Sequence, residues 1–263
     1  MKTQMSTIIM GLLTVALLTI VGLSACATTE TTAAQPITQA DGGADSIDAV
    51  DIDTSVNIDQ ASLNQTPAPI SMSALSEVES EGILYMREEE KLARDVYLTL
   101  YKRWELPVFQ NIANSEQTHM DAVLSLIERY GLDDPAAGND VGAFTNPDLQ
   151  ALYDQLIDQS SASLADALRV GGAIEEIDIL DLEERLGQTD KADIQLVYES
   201  LMKGSRNHLR AFVSTLEQQT GESYQPQYLS QDVYDAIINR AIERGGNGRG
   251  NGQGNGQGRR AGQ

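Results

Sequence analysis

The 263-residue chain has one cysteine, two histidines and only 5% aromatic residues. A single cysteine excludes an internal disulfide framework and any zinc or iron–sulfur site built from thiolates. Two histidines exclude a histidine-rich metal cage, and they make the position of each one informative. Positive charge is also scarce: 18 Lys and Arg face 39 Asp and Glu, a formal charge of −21. A chain this acidic repels phosphate backbones, so nucleic acid is not an expected partner. Apolar residues make up 41%, enough for one modest core but not for two large ones.

The two ends do not read as fold. Residues 1–25 have the form of an export signal, in which Lys2 is the only charge before an apolar run from Ile8 to Leu23. Hydropathy alone leaves a cleaved signal and an uncleaved anchor both open. Residues 26–75 are rich in Thr, Ala, Asp, Ser and Gln, with no Lys or Arg between Lys2 and Arg87. Asp48, Asp51, Asp53 and Asp59 lack the spacing of a calcium loop, and an acidic disordered tether is the expectation. Residues 244–263 form a Gly/Asn/Gln/Arg tract that cannot pack a core. Its four arginines suit either an anionic surface or simple solubility.

Between residues 76 and 243 the apolar residues recur at helical spacing, and an all-α bundle follows. The first helix runs over about 77–103 and stops before Pro107. The second spans about 108–130 and ends at Gly131. Asn146-Pro147 supplies an N-cap and an N1 proline for a short helix to about 159. Ser163 opens a third long helix, closed by Gly187. Asp190 is the expected cap of the fourth, about 191–219, and Ser230 that of a last short helix to about 243. Four long helices with a long crossover, which carries a short extra helix, form an up-down bundle.

Each long helix places polar groups on its apolar face. Glu116 falls near the centre of the second helix's face, with His119 toward an edge. Glu175 centres the third, with Asp178 one turn on. On the fourth, Ser205 lies among Leu201, Leu209 and Phe212, with His208 beside it and Tyr198 above. On the first, periodicity puts Glu89 near the middle and Glu90 on its flank. Of the run Glu88-Glu89-Glu90, at most one or two side chains should point inward. One unpaired buried carboxylate costs on the order of several kcal/mol, a large share of a domain's stability. Four helices bearing that cost separately is implausible; a shared dication would supply the missing counter-charge. Salt bridges to Arg87, Arg94, Arg206 or Arg210 are the structural alternative, but those arginines lie mostly off the apolar faces. Glu116-x-x-His119 sets two ligands one turn apart, within reach of a single ion.

Two resemblances add to this. Leu23-Ser24-Ala25-Cys26 resembles the lipobox of bacterial lipoproteins. It implies cleavage before Cys26, lipidation of that cysteine and a membrane anchor, in the outer membrane if the cell has one. Ile112-Ala113-x-x-Glu116-x-x-His119 and Glu90-x-x-Ala93-x-x-x-Tyr97 resemble the second- and first-helix motifs of the ferritin-like superfamily, of rubrerythrin and bacterioferritin type. Glu175-x-x-Asp178 is similar to the paired third-helix carboxylates of rubrerythrins. Ser205-x-x-His208 stands where the superfamily has a second Glu-x-x-His. Over residues 76–240 the chain resembles more closely still a ferritin-like prokaryotic domain family of unknown function.

The resemblance implies a di-iron or manganese centre held by Glu90, Glu116, His119, Glu175, Asp178 and His208, with dioxygen or peroxide as oxidant. It selects Glu90 over Glu89. Tyr97 and Tyr198 would line the bundle near the centre, as core tyrosines bonding a carboxylate. Ser205 is a departure, because one carboxylate is lost and Asp178 is left to make up the charge. The functions that follow are Fe(II) oxidation or peroxide removal by an exported, lipid-anchored protein, with self-association open. The alternatives are a non-catalytic metal-binding or interaction lipoprotein and a relic scaffold with an empty site.

Overall fold

The computed structural model of the chain describes residues 74–243. The export signal with Cys26, nearly all of the acidic tether and the Arg-containing tail lie outside the described residues. Among the described residues there are six helices and no strands: α1 Glu77–Trp104, α2 Pro107–Tyr130, α3 Pro147–Gln159, α4 Leu164–Leu186, α5 Ala192–Thr220 and α6 Gln231–Ile238. None of these helices is long and apolar enough to cross a membrane.

Local chemistry sets most boundaries. Ser76 and Glu79 form a reciprocal capping box at the start of α1. Only Glu105 and Leu106 link α1 to α2, and the two helices pack along each other, so the chain reverses there; Glu105 takes a left-handed φ of 51° to do so. Gly131 and Gly221 end α2 and α5 at φ 65° and 73°, a region glycine enters without steric cost. Ser163 caps α4 as expected, its side chain accepting from the Asp166 amide. Two expectations fail. Lys191, not Asp190, is the N-cap of α5, and it makes no side-chain cap bond. The last helix ends at Ile238 and not near 243, because Arg210 Nε takes the Ile237 carbonyl and Arg206 and Arg210 hold the Glu243 carboxylate.

The four long helices pack α1 on α2 and α4 on α5, with α2 against α5 and α1 against α4. The apolar core divides into two clusters. One contains Val96, Leu100, Phe109, Leu168 and Phe212; the other contains Ile83, Met86, Val123, Leu182 and Leu201. In all four helices the polar candidates lie in sequence between these two sets.

The crossover is fastened to α1 by charges that the sequence reading did not place inside. Glu88 accepts from the Thr145 and Asn146 amides at 2.5 and 2.9 Å. Lys91 bonds Asp95 at 2.5 Å and donates to the Asp140 and Ala143 carbonyls. Arg87 pairs with Asp134 at 3.0 Å. As a result every residue from Met86 to Ala93 is buried, and all of Glu88, Glu89 and Glu90 point inward, which corrects the expectation of one or two. Helix α1 is enclosed by α2, α3 and α4, and it has no solvent face at this level.

Candidate metal centre

The polar layer is assembled from one or two side chains per helix. Glu90 of α1, Glu116 and His119 of α2, Glu175 and Asp178 of α4, and Ser205 and His208 of α5 are each no more than 6% exposed. Five of these seven fall into two compact groups that share one member. Glu90, Glu116 and His119 form the first and Glu116, Glu175 and His208 the second, with the ligating atoms of each within 4.8 Å of one another.

Glu116 joins the groups through its two oxygens. Oε2 lies 2.7 Å from His119 Nδ1, and Oε1 lies 2.8 Å from His208 Nδ1. Glu90 Oε2 is 3.2 Å from His119 Nδ1, and Glu175 Oε2 is 3.5 Å from His208 Nδ1. The two imidazoles stack with centroids 5.5 Å apart.

Four atoms of the layer make no hydrogen bond. Glu90 Oε1, His119 Nε2, Asp178 Oδ1 and His208 Nδ1 are buried with no hydrogen-bond partner among the described residues. Leaving buried polar atoms unsatisfied costs about 1–3 kcal/mol each, more if charged. Buried oxygen and nitrogen atoms left without partners in such a layer are what a bound cation would satisfy. These buried carboxylate and imidazole groups can hold a metal ion.

The outer sides of the candidate ligands are held by neighbours. His208 Nε2 lies 2.9 Å from Ser115 Oγ, which fixes the ring with Nδ1 toward the carboxylates. Tyr97 donates to Glu175 Oε1 at 2.5 Å and contacts the Gly171 carbonyl at 3.3 Å. Ser205 Oγ, with one proton to give, lies within hydrogen-bond distance of both Asp178 Oδ2 and the Leu201 carbonyl. Gly171 is needed for this packing, since a Cβ there would stand 2.5 Å from the Phe212 ring.

Electrostatics follow from burial and crowding. Burial pushes Glu116 up, but the facing His208 and His119 outweigh it and hold the carboxyl below its usual range. Burial, opposed by His119 and reinforced by Glu116, lifts Glu90 to about 8. His119 rises well above its ordinary value and His208 to about 9, because Glu116 with Glu90 or Glu175 overrides the opposing effect of burial. Burial and the Glu90 charge raise Asp178 strongly. Without a metal, the layer therefore holds protons at neutral pH in place of a cation.

Not every expected residue joins the layer. Tyr198 lies two turns before Ser205, and its ring packs in the cluster of Ile83 and Ile194, with its hydroxyl near Gly82 and Arg185. The expected ligand Asp178 belongs to neither group, its Oδ2 being held by Ser205, and Glu89 lies outside both as well. The arginine alternative is also not what the structure contains: Arg87 pairs with Asp134, Arg94 with Asp95, and Arg206 and Arg210 with Glu243. Ser115 was missed; its only sequence signal is its place beside Glu116 on the buried side of α2.

Fold and site together define an all-helical bundle with a buried carboxylate–histidine layer suited to metal. The chain belongs to the family described as "Uncharacterized protein domain (DUF2202)", which matches residues 79–241. It is 54% identical over 173 residues to the "Uncharacterized protein MJ0754" of Methanocaldococcus jannaschii, an alignment covering 66% of this chain and 93% of that protein. It is also similar to the crystal structure of hypothetical protein MJ0754 from Methanococcus jannaschii DSM 2661. There the TM-score is 0.64 and the identity 52%, covering 68% of this chain and all of that one.

Proposed function

We propose that this chain is a ferritin-like protein, tethered to the cell envelope through a lipid on Cys26, whose bundle holds a two-ion iron or manganese centre that oxidises Fe(II) or removes peroxide. The observation that carries the reading is the orientation of Glu116, with one oxygen toward each histidine at the junction of two ligand groups. Hard carboxylate oxygens combined with imidazole suit iron or manganese.

Glu90 and His119 would hold one ion, Glu175 and His208 the other, and Glu116 both. With Asp178 counted, four carboxylates balance the charge of two dications. The bound pair would supply electrons and an open coordination position for the oxidant. The chain itself contributes positioning and exclusion. Ser115 orients His208, Tyr97 orients Glu175, and the apolar clusters on either side keep bulk water from the layer. Tyr97 can also present a proton at its hydroxyl, since burial and the adjacent Glu175 keep it in the phenol form.

A second reading rests on Ser205. A hydroxyl stands there in place of a carboxylate and is already engaged with Asp178, which favours a bundle that holds one ion firmly without turnover. Metal analysis of the purified mature protein, followed by Fe(II) and peroxide turnover assays, separates the two. About two ions per chain with turnover supports the first, and one ion without turnover supports the second. A protein that binds none overturns both and leaves a relic scaffold. For the anchor, Cys26→Ala should release the protein from the membrane fraction; unchanged fractionation would refute lipidation at that residue.

A further inference from the structure

Three buried polar atoms outside the carboxylate–histidine layer have no hydrogen-bond partner among the described residues. They are Arg185 Nε in the last turn of α4, Gln188 Oε1 in the connection that follows, and the Tyr198 hydroxyl in the second turn of α5. All three residues line one small cavity, whose wall also includes Gly82 of α1 and Ile194 of α5. It gives the centre of a water-sized molecule about 10 Å3, about what one buried water needs. Gln188 donates its Nε2 to Glu184 Oε1 at 3.0 Å, which leaves its carbonyl oxygen as the free end. The Arg185 guanidinium lies over the Tyr85 ring, 4.3 Å from the centroid. Glu79, another wall residue, is already bonded to the Thr189 hydroxyl at 2.7 Å and to the Ser76 amide at 2.8 Å.

Gly82 is a second, independent sign. A glycine inside a helix weakens it relative to alanine. At Gly171 and Gly172 close packing accounts for the glycine, since a Cβ would stand 2.5 Å from the Phe212 and Tyr224 rings. At Gly82 a Cβ would make only ordinary contacts, 3.5 Å from Arg185 Nη1 and 3.6 Å from the Tyr198 hydroxyl. The protein atoms alone therefore leave room for a methyl group, and that room belongs to the cavity.

The pattern of donors and acceptors selects the occupant. Arg185 Nε can only donate and Gln188 Oε1 can only accept, while the Tyr198 hydroxyl can do either. A metal ion cannot accept from the arginine. An anion cannot donate to the amide oxygen, and it would meet the Glu79 carboxylate. One water molecule does both and fits the volume.

We propose that Arg185, Gln188 and Tyr198 bind a single ordered water, which joins the end of α4, the turn after it and α5 into one hydrogen-bonded unit beside α1. The site does not depend on the metal-binding reading. A crystal structure of the full-length protein should show one water-sized peak about 2.7–3.2 Å from Arg185 Nε, Gln188 Oε1 and the Tyr198 hydroxyl. No peak there, or direct bonds among the three side chains, would overturn the proposal. So would an anomalous signal at that position in crystals grown with bromide, which would make it an anion site.

Two substitutions read the same site in solution by thermal melting. If nothing filled the space, Gly82→Ala should raise Tm by about 2–4 °C, the usual gain from replacing a helical glycine. With a water to displace, Tm should instead stay level or fall. Tyr198→Phe should lower Tm in the wild-type background, where the hydroxyl has its partner. In the Gly82→Ala background the hydroxyl is left buried and alone, and the same change should raise Tm. A higher Tm in Gly82→Ala, or the same shift from Tyr198→Phe in both backgrounds, would sink the proposal. An unchanged helical circular-dichroism signal shows that the variants are folded.

Discussion

Replacing Glu116 by Gln keeps the shape of the side chain while removing its charge and one of its two acceptor oxygens. In the structure those oxygens stand 2.7 Å from His119 Nδ1 and 2.8 Å from His208 Nδ1. An amide can offer its oxygen to only one of these groups; the other then faces an NH2 that cannot ligate. The group that keeps the oxygen still loses the negative charge. Removing one partner from a buried charged set costs about 3–5 kcal/mol. At ~1.4 kcal/mol per decade, that corresponds to roughly a hundred- to a thousandfold or more in affinity.

The decisive feature is that both ions should weaken together, whereas His119→Ala should weaken only the ion beside Glu90, and His208→Ala only the ion beside Glu175. Mn(II) titration by isothermal calorimetry, with elemental analysis of the dialysed protein, reads stoichiometry and affinity together. If Glu116→Gln keeps both ions within fivefold of wild-type affinity, or loses a single ion as His119→Ala does, the shared-carboxylate assignment is wrong.

Three other outcomes follow from the same geometry. Metal uptake should release protons at pH 7, because Glu90 at about 8 and His208 at about 9 must lose theirs; affinity should rise from pH 6 to 8, measured by calorimetry in buffers of differing ionisation enthalpy. By linkage, both folded values exceed the ordinary values of 4.5 and 6.5, so their stabilisation of the metal-free bundle is complete below those values and lost as pH rises toward 8 and 9. The metal-free melting temperature should accordingly fall between pH 5 and 9, and a flat profile would contradict the proton-filled layer. Gly171→Ala places a Cβ 2.5 Å from the Phe212 ring and should cost about 1–3 kcal/mol, seen as a drop of several degrees in Tm. Tyr97→Phe removes the bond to Glu175 and should cost about 0.5–1.5 kcal/mol while both ions are retained; loss of the ion beside His208 would mean that Tyr97 does more than orient.

How far the sequence could be read depended on whether the cause was local. Helix ends at Gly131, Asn146-Pro147 and Ser163 are legible because cap chemistry acts within a few residues. Glu116, His119, Glu175 and His208 stood out because they interrupt otherwise apolar faces. What escaped was set by tertiary partners. Glu88, Lys91 and Asp95 are buried because the crossover folds over them and supplies amides and carbonyls, which no periodicity in α1 announces. The choice between Glu89 and Glu90 was blurred for the same reason, since a helix covered on several sides has no single apolar face to average. Asp190 resembled a cap and Tyr198 a site residue by position alone, and the packing decided otherwise.

Glu176 directly follows Glu175, and consecutive side chains on a helix diverge by about 100°. While Glu175 faces the layer, Glu176 is gripped from the other side by the Tyr224 hydroxyl and by the Gln227, Tyr228 and Leu229 amides, at 2.6–2.9 Å. Any twist of α4 that swings Glu175 away from His208 must pull Glu176 out of that four-point grip. The segment before α6 thus works as a torsional stop, defending the aim of Glu175 from behind.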